Sequence, residues 1–330
     1  MPKTTRKISA LIFLPLIATA VFFSVPFLAE AAVSPFQISA VNVEPVGDFV
    51  LEPGKIDVYL EPGETVTRTI FVTNRNPRKI NFRIETEDIE GNRDPINPVT
   101  LLGEAKGPYP FKDALLPAVT EFELDFGQKI AIPIQIKIPL NASPGGHYAA
   151  VIISNAPSKL QKDVGGARVI SRLGALFFVR VKGEVKEEGQ LKEVRIAGPQ
   201  QLFYEKGPST FEVLFENTGT VHLVPYGRLR VTNLFGETIS EVPVDAYFSL
   251  PSSLRYREVE WQPGFLLGRY TASVELYRGY KNSNDISDTQ TVSFWVIPKM
   301  LLLEIFIVLL LIVLAIRYVV THFEFRKRKE

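Results

Sequence analysis

The residue types that carry most protein chemistry are scarce in this chain. It has 330 residues, with three His and no Cys. Without Cys, the protein has no disulfide, thiolate-bound zinc, iron–sulfur cluster or thiol nucleophile. The histidines, His147, His222 and His322, lie far apart, and no Gly-x-Ser-x-Gly elbow, His-Glu-x-x-His pair or phosphate loop occurs. The sequence predicts a protein that is not an enzyme and holds no metal and no cofactor.

Carboxylates are common, but they alternate with apolar residues. Glu85 and Glu87 follow Ile84 at spacings that place them on a predicted strand. We expect such a pair to form a solvated face rather than an acid–base pair. The formal net charge of +1 also excludes a chain-wide field that would attract nucleic acid.

A long Pro-rich segment, 91–120, contains the residues that could bind a ligand. The candidate ligand-binding residues are Lys106, Tyr109, Phe111 and Lys112. Prolines lower the entropy cost of presenting a loop, and aromatic rings stack on sugars or fill pockets in partners. One interpretation is a recognition loop for glycan or protein. The alternative is a loop folded onto its own domain, with Phe111, Leu115 and Leu116 as packing residues.

The elements that would position this loop are β-strands. Isoleucine occupies alternate positions from Ile130 to Ile138, with mostly polar residues between them. This period of two predicts a strand with one buried and one wet face. Pro133 within the run favours an edge strand. Similar short runs separated by Gly/Pro turns continue to residue 297, which predicts an all-β fold of two tandem Ig-like antiparallel β-sandwiches.

Two tyrosines occupy equivalent places in the two halves. Tyr148 follows a Pro-Gly-Gly turn, and Tyr270 follows Leu-Gly-Arg. A Tyr just inside a late strand of an Ig-like domain ties a loop to the sandwich through its hydroxyl. We therefore interpret both as structural tyrosine corners.

The two ends of the chain predict export and membrane anchoring. Residues 1–31 combine a basic start, an apolar stretch and a small-residue site at Ala29-Glu30-Ala31, as in a cleaved signal peptide. Because the apolar stretch is long, an uncleaved anchor is the alternative. Residues 299–321 form a predicted transmembrane α-helix, and residues 322–330 form a basic tail. Positive residues stay inside, so the C-terminus is cytoplasmic and the sandwiches are extracellular.

The domain organisation follows from these elements. We predict a first sandwich over residues 32–185 and a second over 186–298, divided in the charged stretch Gly183–Gly189. The chain is then expected to be a single-pass protein of a cell membrane.

Particular motifs resemble a known family. Glu61-Pro62-Gly63-Glu64-Thr65-Val66, Val72-Thr73-Asn74 and Pro144-Gly145-Gly146-His147-Tyr148 resemble the peptidoglycan-binding domain of the WxL-interacting protein family. The order of signal, two Ig-like domains, membrane helix and basic tail is also similar. The resemblance implies that the first domain engages cell-wall peptidoglycan and that the second engages a protein partner.

The expected function is binding without chemistry. The partner would be cell-wall peptidoglycan or a wall-associated surface protein. Two alternatives are an adhesin that meets another cell and an assembly factor that pairs strand edges with exported subunits. An edge strand at Pro133 argues against the second alternative, because Pro protects an open edge.

Overall fold

The computed structural model describes residues 36–94, 96–156, 170–199, 201, 203–281 and 283–322. The predicted signal peptide, residues 1–31, and all of the basic tail after His322 lie outside the described residues. Within them, the all-β fold with two sandwiches and one C-terminal helix is confirmed.

The first sandwich contains eleven strands and one short 3-10 turn, Lys112–Ala114. The strands are β1 (Gln37–Ala40), β2 (Phe49–Glu52), β3 (Lys55–Leu60), β4 (Thr65–Asn74), β5 (Ile80–Gly91), β6 (Val99–Leu101), β7 (Leu115–Pro117), β8 (Glu121–Leu124), β9 (Gln128–Lys137), β10 (Gly145–Ala156) and β11 (Arg172–Val181).

Two sheets face each other in this sandwich. One has the order β1-β9-β4-β2, with β7 also paired to β9, and the other has the order β3-β11-β10-β5-β6, with β8 also paired to β5. The chain crosses between the sheets after Glu52, so β2 pairs antiparallel with β4 while β3 pairs parallel with β11. The alternating isoleucines from Ile130 to Ile138 point into the core and are at most 3% exposed. The predicted buried face is confirmed.

The expected edge strand at Pro133 is wrong. The strand that contains it, β9, pairs with β4 along one side and with both β1 and β7 along the other. Pro133 lies where β1 has ended at Ala131 and β7 has not begun at Ile134, and its carbonyl accepts a hydrogen bond from Ala118. A residue without an N–H fits the interior of a sheet at such a gap.

The second sandwich contains eight strands. They are β12 (Gly189–Ile196), β13 (Phe203–Tyr204), β14 (Thr210–Asn217), β15 (Tyr226–Asn233), β16 (Thr238–Val244), β17 (Leu254–Glu260), β18 (Gly268–Tyr277) and β19 (Ser287–Val296). A sheet of order β12-β14-β17 faces one of order β13-β19-β18-β15-β16. Trp261, Phe211 and Phe294 pack together in its core.

A third apolar cluster joins the sandwiches. Tyr148 and Phe178 of the first pack with Leu250 and Phe248 of the second. The connection between Val181 and Gly189 contains the predicted domain boundary. Burial of aromatic rings from both sides makes the junction a core of its own.

One helix, α1 (Lys299–His322), follows β19 after two residues. It is long and apolar enough to cross a membrane, and its apolar side chains are exposed on all sides. Its 24 residues extend about 36 Å, which exceeds the hydrocarbon core of a bilayer.

Candidate functional site

Two of the four residues predicted to bind a ligand, Phe111 and Lys112, hold the Pro-rich loop against its own sandwich. Phe111 lies in the core of the first sandwich and is 5% exposed. Lys112 donates its ammonium to the carbonyls of Gly103 and Glu104, at 3.1 and 2.7 Å. The Pro-rich loop is therefore folded onto its own sandwich around these two side chains.

The other two predicted residues point to different places. Tyr109 packs edge-on against Tyr148, with ring centroids 5.8 Å apart. Lys106 is exposed and forms an ion pair with Asp113 at 2.7 Å. The hydrogen bond between them raises the pKa of Lys106 and lowers the pKa of Asp113. Of the four residues, only Lys106 and Phe111 line the same cavity. The ligand-binding role of all four residues stays a prediction.

That cavity lies at one end of the first sandwich. It measures about 510 Å³ and opens between the Pro-rich loop and the turn after β9. Its lining is mostly apolar, from Pro110, Phe111, Leu116, Ile138 and Pro139, with Lys106, Lys137 and His147 among the polar members. A cavity of this size suits a short apolar segment of a ligand.

Buried carboxylates on β5 hold the loop, so the expected solvated face is wrong for Glu87, although Glu85 is exposed. Asp88 is 0% exposed and accepts hydrogen bonds from the backbone N–H groups of Phe111 and Lys112, both at 2.7 Å. Glu87 is also buried, where it accepts the N–H of Gly103 and pairs with Arg172. Strand alternation placed Glu87 on a solvent-facing side of β5. This prediction failed because alternation carries no information about a loop that folds over that side.

The side of the first sandwich where the chain crosses between sheets has two open strand edges. β3 pairs with β11 only from Leu176 to Val181, so Arg172–Ala175 have no hydrogen-bonded strand on that side among the described residues, although β2 lies close to β11. β2 covers β4 only from Phe71 to Asn74, so Thr65–Ile70 have none either. Open edges expose backbone N–H and C=O groups that can pair with another chain.

The two edges differ in how they are protected. On β4, Arg68 occupies a core-facing position between Val66 and Ile70, yet it is exposed and donates to the carbonyl of Thr67 at 3.0 Å. A charge at a core-facing edge position opposes addition of a further strand. On β11, the core-facing positions near the open end are the apolar residues Leu173 and Ala175. Among the described residues, the open stretch of β11 therefore lacks the core-facing charge that protects the β4 edge.

A polar network fixes the junction between the sandwiches. The phenolic oxygen of Tyr148 accepts a hydrogen bond from the backbone N–H of His222 at 2.6 Å. Buried Arg180 pairs with buried Glu187 at 2.8 Å, and Glu187 also accepts the backbone N–H groups of Lys281 and Ser283. These contacts set the direction in which the first sandwich, with its open edge, leaves the second.

The two predicted corner tyrosines make different contacts. Tyr270 bonds locally, since its hydroxyl accepts from the N–H of Leu267 and donates to the carbonyl of the same residue, both at 3.1 Å. Tyr148 is fully buried, but its hydroxyl reaches the other sandwich instead of a loop of its own. Sequence reasoning found both tyrosines and missed the partner of Tyr148, because that partner lies 74 residues away.

Comparisons with known proteins add a fold likeness. No family model and no curated protein matches the sequence. The class 5 fimbrial chaperone CfaA is similar at a TM-score of 0.38 and 10% identity, over 74% of this chain and 99% of that one. The YadV chaperone is similar at 0.36 and 10%, over 74% and 100%. The CsuC–CsuE complex of a chaperone and a tip adhesion subunit from Acinetobacter baumannii is similar at 0.35 and 10%, over 76% and 99%.

At these TM-scores the similarities support no conclusion about function. Membership in the WxL-interacting protein family and binding to peptidoglycan stay predictions.

Proposed function

We propose that this chain is a non-enzymatic, membrane-anchored protein that binds an extended segment of another exported polypeptide along the open edge of β11. The edge-pairing role expected as an alternative thus becomes the main proposal. The observation that carries it is the uncovered stretch Arg172–Ala175, beside which β3 does not extend.

The side chains around this stretch favour strand addition. Leu173 faces the core side of the sheet but remains 38% exposed, and no described strand pairs with it on the side of β3. An added strand would bring alternate side chains to the same face, and apolar ones would cover Leu173. The partner segment is therefore expected to alternate apolar and polar residues. Main-chain hydrogen bonds would supply affinity that depends little on sequence.

The membrane anchor belongs to the same proposal. Helix α1 has the length and composition of a single span. With the basic tail in the cytoplasm, both sandwiches lie on the outer side of the membrane. The open edge would then be presented to polypeptides that have already been exported.

Photo-crosslinking in the producing cells tests the edge. A photoreactive residue at position 173 of the full chain should form adducts with an exported polypeptide, because an added strand would lie directly beside it. The same residue at Thr67, on the β4 edge that Arg68 protects, is the matched control. Adducts of equal yield at both positions, or none at position 173, would refute the proposed function.

A second candidate function rests on the cavity beside the Pro-rich loop. Lys106 and Phe111, two of the residues predicted to bind ligand, line it. If the cavity binds the cell wall, the full chain in detergent should co-sediment with purified sacculi, and Lys106→Ala should weaken this binding. Lys79→Ala, which removes another exposed ion pair of the first sandwich, should not. Equal binding by both variants would count against the cavity.

A further inference from the structure

The end of the second sandwich from which α1 leaves carries an unusual set of exposed apolar side chains. We call this end the base. The base residues are Phe203, Leu234, Phe235, Phe265, Leu267 and Trp295. Phe235 and Phe265 are 86% and 75% exposed. A soluble surface rarely gathers so many large apolar groups unless they contact something.

Strand register shows that these residues share one end. Asn233, the last residue of β15, lies opposite Tyr270 on β18, and Tyr270 lies opposite Phe294 near the end of β19. The turn that follows Asn233, the loop that precedes Gly268 and the last residues of β19 therefore lie side by side. Phe203 pairs with Trp295 at the same level.

The turn that presents Leu234 and Phe235 is held rigidly. The side-chain oxygen of Asn233 accepts the N–H groups of Phe235 and Glu237, both at 3.0 Å. Its amide group donates to the carboxylate of Glu237 at 2.8 Å. Gly236 adopts φ +83°, which a glycine allows without strain. Both apolar side chains are thus pushed outward although the turn itself is well bonded.

The loop that presents Phe265 and Leu267 is anchored from inside. Leu266, between them, is buried in the core of the second sandwich. The hydroxyl of Tyr270 holds both backbone groups of Leu267. The corner tyrosine therefore fixes a loop whose two neighbouring side chains face solvent.

The position of α1 identifies what covers the base. Only Ile297 and Pro298 separate β19 from the helix. Two residues span at most about 7 Å, which is close to the depth of the headgroup region on one side of a bilayer. If α1 spans the membrane, the base loops must lie at the level of the headgroups. Aromatic side chains favour that region.

We propose that the base of the second sandwich docks on the lipid surface, with Phe235 and Phe265 inserted into the interface beside the transmembrane helix. This inference rests on the proposed function, because it requires α1 to cross the membrane. The opposite end of the second sandwich carries the junction, about 30 Å away along ten-residue β19. Docking would hold the first sandwich and its open edge at a fixed height and direction above the membrane.

A single label tests the docking, since the chain has no Cys of its own. Gln262→Cys places a fluorophore in the base loop with both phenylalanines intact, and Asn284→Cys places one near the other end of the same sandwich. The full chain is reconstituted in phosphatidylcholine vesicles that contain lipids with a nitroxide at the headgroup. We expect the label at 262 to lose most of its fluorescence and the label at 284 to keep it.

The decisive comparison adds Phe235→Ser and Phe265→Ser to the Gln262→Cys chain. Docking by these side chains predicts that quenching at 262 falls. Unchanged quenching in the serine variant would show that the helix alone holds the base near the lipid. No quenching in the Gln262→Cys chain would show that the base does not contact the lipid and is free to bind a protein partner. Either result overturns the inference. Resistance to alkaline extraction, measured in parallel, reports whether α1 is inserted. If alkaline treatment extracts the chain from the vesicles, α1 is not inserted, and the result refutes the membrane anchor of the proposed function instead.

Discussion

The hydroxyl of Tyr148 on β10 and the backbone N–H of His222 in the second sandwich are joined by a hydrogen bond of 2.6 Å. The same hydroxyl lies 3.3 Å from Nδ1 of His222, while Nε2 of that ring lies 3.5 Å from Asp57. This arrangement fits a neutral His222 with its proton on Nε2, so that Nδ1 accepts from Tyr148. A tyrosine and a histidine 74 residues apart thus fix how the sandwiches meet.

Tyr148→Phe should destabilise the junction. The substitution keeps the ring in the apolar cluster but leaves the buried N–H of His222 without a partner. Such an orphaned donor costs about 1–3 kcal/mol. Urea unfolding of the full chain in detergent measures the loss. Tyr59→Phe, which removes an exposed hydroxyl from β3, is the control and should change the midpoint little.

The free energy of unfolding should decrease as the pH is lowered through the range in which His222 titrates. Burial lowers the pKa of this imidazole to about 4; Asp57 opposes the shift, and Arg180, Lys281 and Lys55 add to it. The unfolded chain therefore binds the proton more readily than the folded one. The stabilising contribution is complete above about pH 6.5 and is lost as the pH falls towards 4.

A substitution at this position isolates the effect from other titrating groups. His222→Gln should flatten the decline of the urea midpoint between pH 6.5 and 4 relative to the wild type. His147→Gln reports the cost of the same change outside the junction. If the wild type and His222→Gln lose stability in parallel, His222 does not titrate as the geometry requires.

Asp88→Ala should release the Pro-rich loop. This buried carboxylate accepts the N–H groups of Phe111 and Lys112, and its loss leaves both unsatisfied. We expect a destabilisation of about 2–6 kcal/mol from two orphaned donors. Trypsin should then cleave faster after Lys106 and Lys112 in limited proteolysis. Asp125→Ala, at an exposed carboxylate, should leave the cleavage rate unchanged.

Leu173→Lys should abolish edge pairing without unfolding the sandwich. The new charge would occupy a core-facing position on the open edge of β11, as Arg68 does on β4. Because Leu173 is already partly exposed, the fold should lose at most about 1 kcal/mol. Partner recovered with the tagged full chain should drop sharply, whereas Thr67→Lys should keep it. Undiminished recovery with Leu173→Lys would argue against strand addition at this edge.

Sequence periodicity was sufficient to predict which side of a regular strand such as β9 faces the core. The isoleucines from 130 to 138 had to share one side of a strand, and the structure buries that side. Period-two alternation depends on backbone geometry alone, so it is legible without knowing any partner. The apolar composition of Lys299–His322 likewise indicated the helix.

Strand edges could not be predicted in this way, because an edge is defined by the absence of a neighbouring strand. Pro133 looked like edge protection, yet two short strands from distant parts of the chain flank its position. The open edge at Arg172–Ala175 had no sequence signal, since it exists only because β3 begins at Lys55, opposite Leu176.

The amino-acid sequence by itself determined the fold class, the core face of strands such as β9 and the apolar helix, because these follow from local patterns. Only the tertiary structure decided that Asp88 and Glu87 are buried, that Tyr148 bonds to His222, and that Phe235 and Phe265 share one end. The physical reason is that buried polar groups and open edges depend on pairing between residues far apart in the chain, which no local pattern records.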